Sequence, residues 1–245
     1  MSDMMAHISA STDGLAQEFS IIAHNLANLS TVGYKRRCNS FSQSLQMQKQ
    51  QVQPETSGVG ALRTTFDFSQ GDTVETGRPL DIALYGKGFF VIETPNGPLY
   101  TRKGIFHINH NSQIVDSQGR TVAGERGPIT IPLGTGPSQL HVSSEGKISV
   151  AATGAVAGKL KLVDFGENED KLVPVGASCF QLQDDTEPDD AENVVVKQGY
   201  HEASNVKMTE ELVDMIMVQR LYEANMKFLS AAKDVSSSII DAAMG

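Results

Sequence analysis

Apolar residues near the start of the chain recur at helical intervals. Ile8, Leu15, Phe19, Ile22, Leu26 and Leu29 fall on one face of a helix. Ser2 or Asp3 is placed to cap that helix. Gly33 marks its far side, because glycine readily takes the left-handed conformation that follows a helix end. Toward the other terminus, positions 212, 215, 219, 222, 226 and 229 alternate steps of three and four. They carry Leu212, Met215, Gln219, Tyr222, Met226 and Leu229, and a second seam runs through Val218, Leu221, Asn225, Phe228, Ala232, Val235 and Ile239. Such alternation is the coiled-coil pattern. Two overlapping seams make an apolar band wide enough to need more than one neighbour. Ser204, Asn205 or Thr209 is predicted to cap this helix, with Glu210 and Glu211 in the first turn. Between the ends, short apolar runs alternate with turns, as in 81–84, 88–92, 113–115, 129–131 and 147–150. Asn96-Gly97 reads as a hairpin turn, and Ser144-Glu145-Gly146-Lys147 as a second tight turn.

The distribution of glycine and proline sharpens this division. Residues 58–199 hold nineteen of the 22 glycines and eight of the nine prolines. Both residues punctuate turns and interrupt helices. The ends therefore read as helical and the middle as strands and turns. The stretch from Ser40 to Val52 has neither Gly nor Pro, but is rich in glutamine. It predicts a second helix or an extended arm with little power to form a core. Asp184 to Glu192 places six acids in nine residues and reads as a solvated loop. Long amphipathic ends around a β-rich middle predict a self-assembling structural protein whose terminal helices build a shared core. Lone helix pairs bury too little surface to be firmly folded.

Charge and candidate chemistry narrow the function. The formal net charge is −9, which argues against a nucleic-acid module. No apolar run approaches the ~20 residues needed to span a bilayer, and the first residues lack a secretory leader's basic start and apolar core. Two cysteines, Cys38 and Cys179, are too few for a disulfide framework. His107 and His110 stand three apart in a strand-like stretch, which points them to opposite faces. Gly86-Lys87-Gly88 lacks the third glycine and following helix of a dinucleotide site. No catalytic, metal or cofactor site is predicted. Asn25 and Asn28 could fix helix register as buried asparagines do, or could cap the helix end. Gln219, Asn225 and Lys233 interrupt the apolar seams and could face a neighbouring subunit or solvent.

Three runs carry a resemblance. Asn25-Leu26-Ala27-Asn28-Leu29-Ser30-Thr31-Val32-Gly33-Tyr34-Lys35 resembles the N-terminal signature of the bacterial flagellar rod and hook family. Gly199 to Val206, followed by Glu211 to Ile216 and Gln219 to Asn225, is similar to its C-terminal motif. Arg78 to Leu84, Gly88 to Val91 and Tyr100 to Gly104 are similar to the β domain of the rod proteins. The resemblance covers essentially the whole chain, with its motifs in the family's order.

The resemblance implies a structural subunit of the basal-body rod. Such a subunit assembles helically around the export channel and transmits torque from motor to hook across the periplasm. It implies export by the flagellar type III apparatus without a cleaved signal peptide. Its expected partners are copies of itself, other rod proteins, the export apparatus and the rings around the rod. No cofactor, nucleic acid or membrane insertion is expected. Gly124 to Pro132 and Gly158 to Val163 look most like the proximal-rod branch, whereas Tyr34 to Arg37 and Glu211 to Glu223 sit close to the distal-rod branch. The proximal branch is preferred and the distal branch is the alternative. A ligand-binding module built on the β domain is the alternative of another class.

The expected fold class is α+β. N- and C-terminal amphipathic helices would form a coiled-coil-like axial domain, with a mainly antiparallel β-domain inserted between them. The expected boundaries are 1–35 and 200–245 for the helical domain, 36–76 for an extended linker or arm, and 77–199 for the β-rich outer domain. The expected assembly interface comprises Leu15, Phe19, Ile22, Asn25, Leu26, Asn28, Thr31, Gly33 and Tyr34. On the C-terminal side it comprises Ser204, Asn205, Leu212, Met215, Ile216, Gln219, Arg220, Tyr222, Asn225, Met226 and Leu229.

Overall fold

A computed structural model of the chain describes residues 2–39, 64–183 and 187–244. The Ser40 to Val52 stretch and part of the acidic run after Asp184 lie outside the described residues, as do the side chains of Ser2 and Asp3. The chain divides into two compact units. The first holds residues 1–29, 37–67 and 206–245, and the second holds 30–36 and 68–205.

Two helices are described in the first unit. Helix α1 spans Ser2–Ala27 and helix α2 spans Met208–Met244. Gly33 follows α1 with φ +67°, the left-handed conformation its position predicted. At α2 the expected caps differ. Lys207 precedes the helix, and its carbonyl accepts the Glu211 N–H at 3.1 Å. Ser204 and Asn205 lie upstream of the helix start, and Thr209 lies inside it. Tyr200–Glu202 is a strand of the second unit.

The expected fold class is corrected by these elements. The chain is mainly β-sheet, with one helix at each end and the strands lying between them in sequence, rather than an axial coiled coil carrying an insertion. Burial explains the difference. Leu15, Ile22 and Val218 form the apolar contact of α1 with α2, with Leu26 and Met215 packed against it. Seam residues Leu212, Tyr222 and Met226 remain exposed. A coiled coil requires a continuously buried seam, and here most of the periodic band lies uncovered within the chain.

The second unit is built on antiparallel strands. Among the described residues its largest sheet has ten strands and runs, along its main path, Leu172–Gly176, Cys179–Leu182, Leu99–Thr101, Phe89–Glu93, Thr121–Gly124, Ile114–Val115 and His107–Ile108. A three-stranded sheet joins Leu140–Val142, Lys147–Val150 and Val156–Lys159. Both predicted turns are present. Asn96-Gly97 connects strands that pair Ile92 with Leu99, and Gly146 (φ +79°) lies in the turn before Lys147–Val150.

The central strand explains the apolar run 89–92. Phe89, Phe90, Val91 and Ile92 are all buried, so both faces of this strand are covered. Phe90 and Ile92 belong to the main core with Ile82, Leu84, Phe106 and Ile148. On the other face, Phe89 meets Phe68 and Phe165 edge-to-face, each at 5.5 Å between ring centres. Such pairs contribute ~0.5–1.5 kcal/mol beyond the area they bury.

Candidate assembly surface and its polar braces

The residues expected at an interface separate into three groups. Leu15 and Ile22 are buried within the chain, with Leu26 and Met215 partly so. Phe19, Leu212, Ile216, Gln219, Arg220, Tyr222 and Met226 are exposed. Leu229 and Thr31 are half-buried. The third group braces the fold from inside.

Asn25 is the brace of the first unit. It is fully buried at the C-terminal end of α1. Its Nδ2 donates to the Arg37 carbonyl at 2.9 Å and to Glu211 Oε2 at 3.2 Å, while its Oδ1 accepts the Arg37 N–H at 2.9 Å. One side chain thus ties α1 to the strand that follows it and to the first turn of α2. Asn28 acts locally. Its Nδ2 donates to the His24 carbonyl at 2.8 Å and sits 3.1 Å from His24 Nδ1, satisfying the helix end. Burial, and then the Arg37 charge, hold His24 below its ordinary value of 6.5. Asn225 reaches α1 through Nδ2 to Ser11 Oγ at 3.2 Å. Gln219 bonds instead along its own helix to Glu223.

The second unit has a brace that sequence reasoning missed. Lys35, Arg102 and Glu202 are 1%, 3% and 0% exposed. Lys35 Nζ meets Glu202 Oε1 at 2.6 Å and donates to the Ser69 carbonyl at 2.7 Å. Arg102 Nη1 meets Glu202 Oε2 at 3.3 Å, and Nη2 donates to the Gly86 carbonyl at 2.7 Å. The Arg102 guanidinium also stands 5.4 Å over the Phe89 ring. Desolvation lowers the Arg102 pKa, and the nearby carboxylates of Glu202, Glu169 and Asp164 oppose that shift. Burial raises the Glu169 pKa.

Each of the three resembling runs supplies one member of this cluster. Lys35 ends the N-terminal signature, Arg102 lies in the middle motif and Glu202 in the C-terminal one. The available signal was a charge inside each run: Lys35 and Glu202 are the single formal charges of 25–35 and 199–206, and Arg102 stands beside Lys103 in 100–104. The neighbours follow the same plan. Asn205 Oδ1 accepts the Arg36 N–H at 2.7 Å, and its Nδ2 donates to the Ser69 carbonyl at 3.1 Å. The Gly33 N–H donates to the Glu202 carbonyl at 2.8 Å. A Cβ on Gly33 would lie 2.5 Å from the Lys103 nitrogen. Tyr34 is buried beside them, and Ser204 is half-buried.

Outside these braces, α2 presents a long apolar stripe. Val213, Met217, Leu221, Phe228 and Val235 are each about half exposed, with Phe228 at 53%. Met217, Leu221 and Phe228 follow i, i+4, i+11 spacing, so they line one side of the helix. Val218, Asn225 and Leu229 lie on the side that meets α1 or are drawn partly out of solvent. Monomeric proteins rarely expose large contiguous apolar patches, and this stripe is uncovered within the chain.

Enzyme-like features are of a different order. Two open grooves of about 380 and 600 Å³ flank the Glu125–Lys159 ion pair. Among the described residues, no three His, Cys, Asp or Glu side chains converge as metal ligands. Cys179 is buried, with Arg120 Nη2 3.0 Å from its Sγ. His107 is exposed, with its Nε2 3.4 Å from Arg78 Nη2.

Internal polar braces and an uncovered helix face together define a building block. Comparison with known proteins supplies the kind. Residues 83–150 match the family profile described as the flagellar hook protein FlgE/F/G D1 domain, and residues 197–242 match the flagellar basal body rod FlgEFG protein C-terminal profile. The flagellar basal-body rod protein FlgG of Agrobacterium fabrum is 32% identical over 96% of this chain and 97% of its own length. FlgG of Bacillus subtilis is 29% identical over 90% of this chain and 91% of its own. The basal-body rod protein FlgF of Caulobacter vibrioides is 29% identical over 93% of this chain and 92% of its own.

The chain therefore belongs to the flagellar basal-body rod protein family. It is a structural subunit of the rod, and it assembles with other rod components. No described helix is long and apolar enough to cross a membrane.

Proposed function

We propose that this chain is the proximal-rod subunit and that the outward faces of α1 and α2 pack against neighbouring subunits. The uncovered stripe on α2 carries the packing claim. Bringing ~100 Å² of such apolar surface out of water contributes about 2.5 kcal/mol per subunit contact. A repeated array of such contacts gives a stiff tube suited to torque. Phe19, Leu212, Ile216, Arg220, Tyr222 and Met226 belong to the same faces.

Alignment length supports the proximal subtype. About 235 residues of this chain (96% of 245) spread over 262 aligned positions with the Agrobacterium FlgG, leaving roughly 27 positions without a counterpart. With the Caulobacter FlgF, about 228 residues (93% of 245) spread over 237 positions, leaving roughly nine. FlgG corresponds to the distal rod and FlgF to the proximal rod, and identity near 30% does not separate them. Passage through the flagellar export apparatus without a cleaved leader, and contact with the rings around the rod, complete the reading and are supported by family membership.

Site-directed cross-linking tests it. A single cysteine in place of Met217, with Cys38 and Cys179 replaced by alanine, is expected to link this chain to proximal-rod proteins in purified basal bodies. Links to hook-side subunits would overturn the proximal assignment. Absence from basal bodies would overturn the rod function itself.

A further inference from the structure

The second unit is closed by segments remote from most of its sequence. Its body runs over 68–205, yet residues 30–36 belong to it too. The last stretch of that body supplies two strands. Val195–Gln198 pairs with Ile82–Tyr85, and Tyr200–Glu202 pairs with Thr73–Glu75. These strands also carry the polar groups that complete the interior. Glu202 Oε1 takes Lys35 and the Gly71 N–H, and Oε2 takes Arg102. Gln198 Nε2 donates to the Pro79 and Leu140 carbonyls, both at 2.9 Å, and its Oε1 accepts the Val142 N–H at 3.1 Å. Gln198 thereby ties the three-stranded sheet to the loop before Ile82.

We infer that residues 195–205 act as a clasp, so that their docking and the global folding of the second unit are one event. The reason is electrostatic as well as topological. With the clasp undocked, Lys35 and Arg102 lose the carboxylate they share, and breaking a buried ion pair by removing one partner is strongly unfavourable. Leu84 would lose its strand partner Val196, and the Leu140 and Pro79 carbonyls their shared donor. A partly folded unit lacking the clasp is therefore poorly populated. In a rod subunit this keeps the β unit open until its last strands have arrived, a use that rests on the rod reading. The coupling itself concerns the isolated chain and does not.

Native-state hydrogen exchange on the full-length monomer tests the coupling. The Val196 and Ala203 amides, bonded to the Ser144 and Asp72 carbonyls, report on the clasp. The Phe106 and Ile114 amides, bonded to the Leu80 and Ile129 carbonyls, report on the core. All four are expected to share one protection factor within about threefold and to respond alike to denaturant, as amides exposed in a single cooperative opening do. Clasp amides exchanging more than about tenfold faster, with the core still protected, would overturn the inference. Glu202→Gln is expected to lower the folded-to-unfolded ratio by on the order of a hundredfold or more and to move all four amides together. Faster exchange confined to Val196 and Ala203 in that variant would also overturn it. The wild-type comparison decides the question even where the variant does not fold.

Discussion

Replacing Asn25 with alanine probes how α1 is held to α2. The substitution removes two hydrogen bonds to the backbone of Arg37 and one to the buried carboxylate of Glu211. Arg37 is half-buried, so water can partly replace the two backbone bonds, at about 0.5–1 kcal/mol each. Glu211 is fully buried, and losing a hydrogen bond to a charged group costs about 1.5–3 kcal/mol. Glu211 keeps a further partner, which places the expected total near 2–4 kcal/mol. Asn25→Asp should be worse. It replaces both Nδ2 donors and sets a second carboxylate against Glu211 Oε2, where Nδ2 now stands at 3.2 Å. Urea unfolding of the monomer, followed by helical circular dichroism, measures both variants. Asn25→Ala within about 0.5 kcal/mol of wild type, or Asn25→Asp milder than Asn25→Ala, would refute the reasoning.

Further outcomes follow from other parts of the molecule. Leu221→Asp and Phe228→Asp are expected to leave monomer stability within about 0.5 kcal/mol, because both side chains are half exposed, yet to block incorporation into basal bodies and motility. Gly33→Ala is expected to destabilise by at least about 2 kcal/mol in urea titrations, since it combines left-handed strain with a close approach to the Lys103 backbone. Phe89→Ala should cost about 3–5 kcal/mol, given full burial between Phe68 and Phe165. His24 is held below 6.5, so the unfolded chain takes up its proton first as pH falls. Stability of the helical unit should therefore decline as pH drops below about 6.5, and His24→Gln should flatten that decline in pH-dependent melts.

Local signals in the sequence translated well into local structure. The helices, the left-handed Gly33, the hairpin at Asn96-Gly97 and the turn at Gly146 each depend on residues close in sequence. The doubly buried strand at 89–92 was visible as an unbroken apolar run. Partner choice was not visible in the same way. A three-four periodicity on 212–229 specifies that a face is apolar, and is silent on whether this chain or another covers it. That silence explains why the seam predicted a coiled coil that α1 and α2 do not form. The Lys35–Glu202–Arg102 cluster lay hidden for a related reason. Its members are 67 or more positions apart in sequence, and a charge in a motif does not announce its counter-charge. The short strand Tyr200–Glu202 was lost in a proline-free end that otherwise reads as helix.

The central claim is that the exposed faces of α1 and α2 are buried by neighbouring subunits in the rod. Thiol accessibility tests it directly. Single cysteines replacing Leu221 and Phe228, in a chain whose Cys38 and Cys179 are alanine, are labelled in the purified monomer and again in intact basal bodies. Rapid labelling of the monomer and protection in the assembled rod are the predicted result. Equal labelling in both states would contradict the account, because these faces would then be uncovered in the rod.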